Sequence, residues 1–512
     1  DSGDQSLSEG AEDLVSAAEA GEQSSLAETG KDSAAESAEE LPSQEKIKPY
    51  GSPWINSNVY GMITEDTPRP GVRDDFYLAV NYDYLNKTKI KPGHEVIGTD
   101  DEISDLLIDR ISGLMTDSED TSPEADRVRT LYQMYLDWEG REKGRDYISS
   151  KIKTILNISS LEDLSAYLGS WEGRTGTNIL EIYLDTDIDD PGRHMTDIGP
   201  TSLTLGTRDE YESITDSGKR NKKHSDSAAK YMLIQYAGCS EEAAQELIDN
   251  RYAFEKAVSE SMMNSTELAA GDSIRKRTNI MTAEELAAAA PALPIKEMLS
   301  AVGFDPSLRL NLEQPAWLTK LNELYTEENL EQIRAYLVCE TAAGYIGKAD
   351  EAAYREAKRL EREFSGLSAS REDEYYATNM VARVLWQDVD KMYVAKYCSP
   401  QMKEDIRTLM EEAISTYREM LTEETWLSPE TREKAISKLD HLTLLPVYPD
   451  DDKWLDWSQI SITPAAEGGN YALAMDEISE AQWKICQQMS FEPIDKQVWN
   501  MRTSEMNAAY II

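Results

Sequence analysis

The sequence predicts a mainly α-helical protein, and three observations carry that prediction. Apolar residues recur at helical spacing along much of the chain. Helix-start signals, a capping hydroxyl followed by proline or by glutamate three residues on, open several of these runs. Alternating, β-branched stretches are sparse. With 512 residues, the chain is long enough for two or more domains, each with its own core.

Taken in order, residues 1–48 are built from Ser, Glu, Ala, Gly and Asp, with almost no aromatic or β-branched side chains. Such a segment buries too little surface to offset its ordering entropy and reads as a disordered acidic tether. The globular body begins near Pro49. In DDEISDLLIDRISGLM, Ile103, Leu106, Leu107, Ile111 and Leu114 fall on one helical face. Pro123 opens a helix whose stripe is Val128, Leu131, Tyr132, Tyr135 and Leu136. ILEIYLDTD, Ile179 to Asp187, alternates and is a strand candidate. Thr282 with Glu285 forms a capping box before an alanine-rich helix that Pro291 ends. Ser428 caps a helix with Pro429 first and Ala435, Ile436 and Leu439 inward. Composition shifts at Tyr448-Pro449-Asp450-Asp451-Asp452 and at Gly468-Gly469-Asn470, which reads as a loop leading out of the helical body. The ending, Met506 to Ile512, is apolar and partly β-branched and is the other strand candidate. The expected organisation is therefore a tether over 1–48, a helical domain over 49–455, and a linker with the start of a further domain over 456–512.

A formal net charge of -44 repels phosphate backbones and anionic lipid heads, so nucleic acid is not an expected partner. No stretch approaches the roughly 20 apolar residues of a membrane span. The opening DSGDQSLSEG does not read as a signal peptide, as expected of a processed, exported protein and equally of a cytosolic one. Cys239, Cys339, Cys398 and Cys486 lie far apart with no C-x-x-C pair; two disulfides and four buried thiols are both compatible with that spacing.

No complete catalytic constellation is legible. Of the histidines at 94, 194, 224 and 441, no two stand a helical turn apart. His94-Glu95 begins like H-E-x-x-H, but Gly98 occupies the second histidine position and Pro92-Gly93 precede it, so the stretch is a loop. There is no G-x-S-x-G elbow, phosphate loop or dinucleotide fingerprint. Acidic pairs carry no information in so acidic a chain.

Six stretches, in order, do resemble one family. DDFYLAVNYDYLNKTKI (Asp74–Ile90) is similar to its opening motif through Asp75, Phe76, Tyr77, Val80, Asn81 and Leu85, with Tyr82, Asp83 and Tyr84 replacing Gly-x-Trp. NIMTAEELAAAAPALPIKEML (Asn279–Leu299), QPAWLTKLNELYTEENLEQIRAYL (Gln314–Leu337), MYVAKYCSPQMKEDI (Met392–Ile406) and TWLSPETREKAISKLDHLTLLPVYPDD (Thr425–Asp451) follow. Trp499, Met501, Asn507, Ala508 and Tyr510 match a closing W-x-M…N-A-x-Y pattern. Together they resemble the N-terminal part of the neprilysin-like zinc metalloendopeptidases, family M13, which include bacterial oligoendopeptidases.

The resemblance implies a large helical lobe capping a thermolysin-like lobe, with this chain reaching only the first strand region of the latter. It implies peptides and small unfolded chains as substrates, admitted to an enclosed cavity. It also implies one zinc ion, held by H-E-x-x-H histidines and a downstream glutamate that follow the N-A-x-Y segment in the family. No catalytic or metal-binding residue of this chain is assigned. Asn507 and Ala508 are the expected substrate-binding residues, the Asn side chain and Ala backbone bonding the substrate main chain by strand addition. Val96 stands where some members place an arginine for a substrate's C-terminal carboxylate, which favours endopeptidase cleavage. A monomer is expected, secreted or anchored at a bacterial cell surface, with membrane contact only through an N-terminal anchor. Two classes of function compete. One is the N-terminal part of an M13 endopeptidase, inactive alone, with the zinc motif expected beyond Ile512. The other is a non-catalytic peptide-binding or scaffold protein that retains the helical lobe. The apolar ending, with no polar cap, favours the first.

Overall fold

The structure is a computed structural model that describes residues 68–499 and 501–509. The acidic segment 1–48 and the last three positions of the terminal strand candidate lie outside the described residues. The chain divides into two compact units. As far as described, the larger takes in Leu106–Leu360 and residues 372–509, and the smaller takes in residues 68–105 and Glu361–Arg371.

In the smaller unit Asp75 caps the helix Phe76–Lys87 by accepting the Leu78 N–H at 2.9 Å. Arg69 donates to the Ala79 carbonyl at 2.9 Å, and Arg371 bonds Asp105 at 2.6 Å.

The larger unit is helical for the reasons its sequence advertises. Ser122 caps Pro123–Leu136, the Thr282–Glu285 capping box opens Ala283–Ala289, and Ser428 caps Pro429–Asp440. Two cores form. The first is drawn mainly from residues 148–360 and centres on Leu330–Tyr345, whose Ile333, Ala335, Tyr336, Leu337, Val338 and Cys339 are all buried. Ala335 to Cys339 are five consecutive buried residues, more than a full turn, so this part of the helix is enclosed on all sides. The second core joins the two flanks of that stretch: Val128 and Leu131 meet Val381, Val389, Tyr471, Ile478 and Ile485. The helix Tyr471–Met489 thus shares a core with Pro123–Leu136.

Arg141, 1% exposed, stands among residues of the second core. Its guanidinium lies 4.9–5.3 Å from the rings of Tyr135, Trp138, Tyr354 and Tyr471, and donates to the carbonyls of Ala349 (2.7 Å), Tyr135 (3.0 Å) and Gly347. Burial holds its pKa below the usual arginine value.

Four strands form one sheet in the order β1 (Glu181–Asp187), β2 (Asp190–Gly199), β4 (Leu310–Leu312), β3 (Ile280–Met281). β1 and β2 are an antiparallel hairpin with Glu181 opposite Gly199, while β2 and β4 run parallel with Asp197 opposite Asn311. Ile198, Leu310 and Leu312 turn one face into the first core. Tyr183, Asp185, Asp197 and Asn311 therefore share the other face.

The structure departs from the expected burial in two places. Ile111 and Leu114 are buried, yet Ile103 and Leu106 on the same predicted face are 38% and 51% exposed. Ala435, Ile436 and Leu439 are only half-buried, because Pro429–Asp440 packs solely onto the long helix Pro400–Glu423 among the major neighbours, and neither helix contains a fully buried residue. Met402, Ile406, Leu409, Tyr417 and Met420 lie exposed along that long helix. Periodicity marks an apolar face but not what covers it. No helix among the described residues is long and apolar enough to cross a membrane.

Candidate functional site

The segment that follows Tyr471–Met489 carries both predicted substrate-binding residues, and the larger unit ties it down at several points, beginning with Ser490 Oγ, which accepts the Asp305 N–H at 3.0 Å. The Ile494 N–H donates to the Gly192 carbonyl of β2 at 3.0 Å. Lys453 pairs with Asp495 at 2.9 Å. Asp390, on the helix Trp386–Tyr397, then takes two successive main-chain donors: Oδ2 accepts the Thr503 N–H at 2.6 Å and Oδ1 the Ser504 N–H at 3.0 Å. Asp390 is fully buried. Burial pushes its carboxyl up to about 6, against the pull of these bonds and of the Arg502 charge.

Beyond that anchor the chain turns outward. Glu505 to Ala509 are exposed and irregular, so the described part of the strand candidate is not paired into a sheet. An edge strand exists only where a neighbour receives its hydrogen bonds. Asn507 and Ala508 are both solvent-facing. Asn507 Oδ1 accepts the Ala508 N–H at 2.8 Å, an asparagine side chain occupying a main-chain donor. An extended peptide's carbonyl is the same kind of acceptor, so the pair offers chemistry suited to strand addition.

The other residues weighed in the sequence are dispersed. His94 bonds Asp105 at 3.0 Å in the smaller unit. His194 lies on β2, where burial lowers its pKa. His224 is on the helix Asp216–Met232, and His441 sits at the end of Pro429–Asp440. Among the described residues no three His, Cys, Asp or Glu side chains converge to hold a metal ion, so the zinc implied by the resemblance finds no ligand set in them. All four cysteines are free thiols; burial pushes Cys339 up to about 12 and Cys486 up to about 11, which leaves both protonated at neutral pH. Val96 is 57% exposed.

A second polar cluster was invisible in the sequence. On the sheet face away from the first core, the Tyr183 phenol donates to Glu313, which also pairs with Arg277 at 3.3 Å. Asp197 is 4% exposed, and its Oδ1 has no hydrogen-bond partner. Burial pushes this carboxyl up to about 7; Asn311 opposes the shift, and the neighbouring Asp185 and Glu313 add to it. With 96 acidic residues in the chain, neither Asp197 nor Asp390 stood out. Burial is the signal, and it exists only in three dimensions.

Comparison with known proteins places this geometry in a family. The model described as Peptidase family M13 matches residues 72–449. The chain is 22% identical over 468 residues to a neutral endopeptidase of Lactobacillus helveticus, covering 88% of this chain and 69% of that protein. It is 23% identical over 451 residues to a neutral endopeptidase of Lactococcus lactis subsp. cremoris, covering 86% and 69%. Among solved structures, PepO from Lactobacillus rhamnosis superposes with a TM-score of 0.74 at 18% identity, over 85% of this chain and 68% of that one. A zinc metalloprotease of Mycobacterium tuberculosis in complex with an inhibitor gives 0.74 at 19%, over 88% and 67%. Mainly helical, with one small mixed sheet and with a family match across most of its length, the chain belongs to peptidase family M13.

Proposed function

We propose that the chain is the N-terminal, substrate-enclosing part of a zinc-dependent metalloendopeptidase that cleaves peptides and small unfolded chains, with Asn507 and Ala508 holding the substrate main chain. The observation that carries this reading is the family match over residues 72–449. It is supported by an exposed Asn-Ala pair at the end of an anchored segment. No H-E-x-x-H occurs in the 512 residues. We therefore propose that this chain alone does not turn over peptide. Valine at position 96 supports internal cleavage over release of C-terminal dipeptides, since it offers no charged contact to a carboxylate. The acidic composition of residues 1–48 supports a spacer between a cell-surface anchor and the globular body, or the leading segment of a secreted form.

Zinc stoichiometry and peptide turnover measured on the purified 512-residue chain test the reading. The expected result is no tightly held zinc and no turnover. One zinc per chain with turnover overturns the proposed inactivity.

A further inference from the structure

The anchor at Asp390 does more than end a loop. Two main-chain donors from consecutive residues, Thr503 and Ser504, converge on the two oxygens of one carboxylate at 2.6 and 3.0 Å. That arrangement fixes the position of the chain, and because Ser504 is buried there while Glu505 is exposed, a one-residue slip would carry a charged side chain into the buried place. Asn507 follows the buried Ser504 by three residues, and Glu505 and Met506 between them are exposed. The carboxylate is thus the last buried constraint before the pair that meets substrate.

We infer that Asp390 is a positioning residue for peptide binding: its carboxylate sets the register in which Asn507 and Ala508 are presented, and its protonation releases that register. The inference rests on the reading of Asn507 and Ala508 as the substrate-binding pair. Carboxylate charge strengthens both N–H bonds, and a protonated carboxyl turns one acceptor oxygen into a hydroxyl facing a donor. Charged and titratable groups that act on or feel Asp390 include Arg502 from the tail and the Cys398 thiol at the end of its own helix. Arg502 favours the ionised form. The Cys398 thiol is pushed up by burial, so it stays neutral through the acid range. The two main-chain bonds and the Arg502 charge pull the carboxyl toward ionisation against its burial. A tail that detaches while Asp390 stays buried therefore leaves the carboxyl easier to protonate, and anchoring weakens as pH falls.

The test uses the full 512-residue chain, with main-chain hydrogen exchange read at residues 501–509 and the affinity for a fluorescently labelled unstructured decapeptide read by anisotropy. Asp390→Asn keeps the volume and removes the charge; Asn507→Ala removes the proposed contact and leaves the anchor. The expected result is at least tenfold faster exchange at Thr503 and Ser504 in Asp390→Asn, with a parallel loss of affinity. Wild-type affinity should fall as pH drops from 7 to 5, and that dependence should vanish in Asp390→Asn. Asn507→Ala should lose affinity with unchanged exchange at Thr503 and Ser504. Unchanged exchange in Asp390→Asn overturns the inference, and so does faster exchange with unchanged affinity and pH profile. If wild type does not bind the decapeptide, or Asn507→Ala binds as well as wild type, the substrate-site reading falls and takes the register role with it. The exchange result then still reports whether Asp390 holds the tail.

Discussion

Arg127 and Asp388, 261 residues apart, close a two-pronged ion pair: Nε to Oδ2 at 2.8 Å and Nη2 to Oδ1 at 2.7 Å. Asp388 is fully buried, and burial raises its carboxyl pKa against the opposing pull of Arg127. Arg127→Ala strands that carboxylate without a partner and is expected to cost about 3–5 kcal/mol. Replacing both residues by leucine should recover much of the loss. Denaturant midpoints of the three variants check this.

Arg141 makes a different demand. Its donors reach three main-chain carbonyls while four aromatic rings surround it. A lysine ammonium is a single point charge and cannot span acceptors arranged around a planar fork. Arg141→Lys is expected to lose about 2–4 kcal/mol through orphaned carbonyls, read as a lowered melting temperature with native helix content retained below it.

Asp197 should make stability depend on pH in an unusual direction. Its folded pKa, pushed up to about 7, lies above the ordinary carboxylate value of roughly 3.9. Between those values the native state binds more protons than the unfolded chain, so this residue's contribution falls as pH rises through the window. Asp197→Asn should therefore stabilise by about 2 kcal/mol at pH 8 and by almost nothing at pH 4. Urea unfolding of both proteins at the two pH values decides it.

The outer stripe of Pro400–Glu423 should behave oppositely to the cores. Leu409 and Tyr417 are each 60% exposed. Leu409→Lys and Tyr417→Lys are expected to change stability by less than about 0.5 kcal/mol and to reduce binding of a hydrophobic dye. A large destabilisation would show that the stripe has a partner within the chain.

What could be read from the sequence was local. The caps at Thr282 and Ser428 form as expected, because a capping hydroxyl and its N–H are three residues apart, and the helix opened by Pro123 starts where expected. β1 was legible from alternation, whereas β2 was not: Pro191 and Gly192 near its start mimic a loop, and its pairing with β4 joins residues over 100 positions away. The inward assignment of Ala435, Ile436 and Leu439 went too far, because the covering layer lies outside the helix's own sequence. Asn507 and Ala508 were singled out only through their family-like setting. Asp390, which holds their segment, gave no cue among so many carboxylates.

The nesting of the two cores has a consequence for synthesis. The second core needs Val128 and Leu131 together with Val389 and Ile478, so its first half leaves the ribosome long before its second. At roughly 5–20 residues per second, Arg127 waits on the order of tens of seconds for Asp388. During that interval the apolar stripe of Pro123–Leu136 has no native partner from the later helices. The intervening stretch can meanwhile condense around Leu330–Tyr345. The nascent chain is therefore most exposed to chaperones, and to misassembly with its neighbours on a polysome, at its earliest helices.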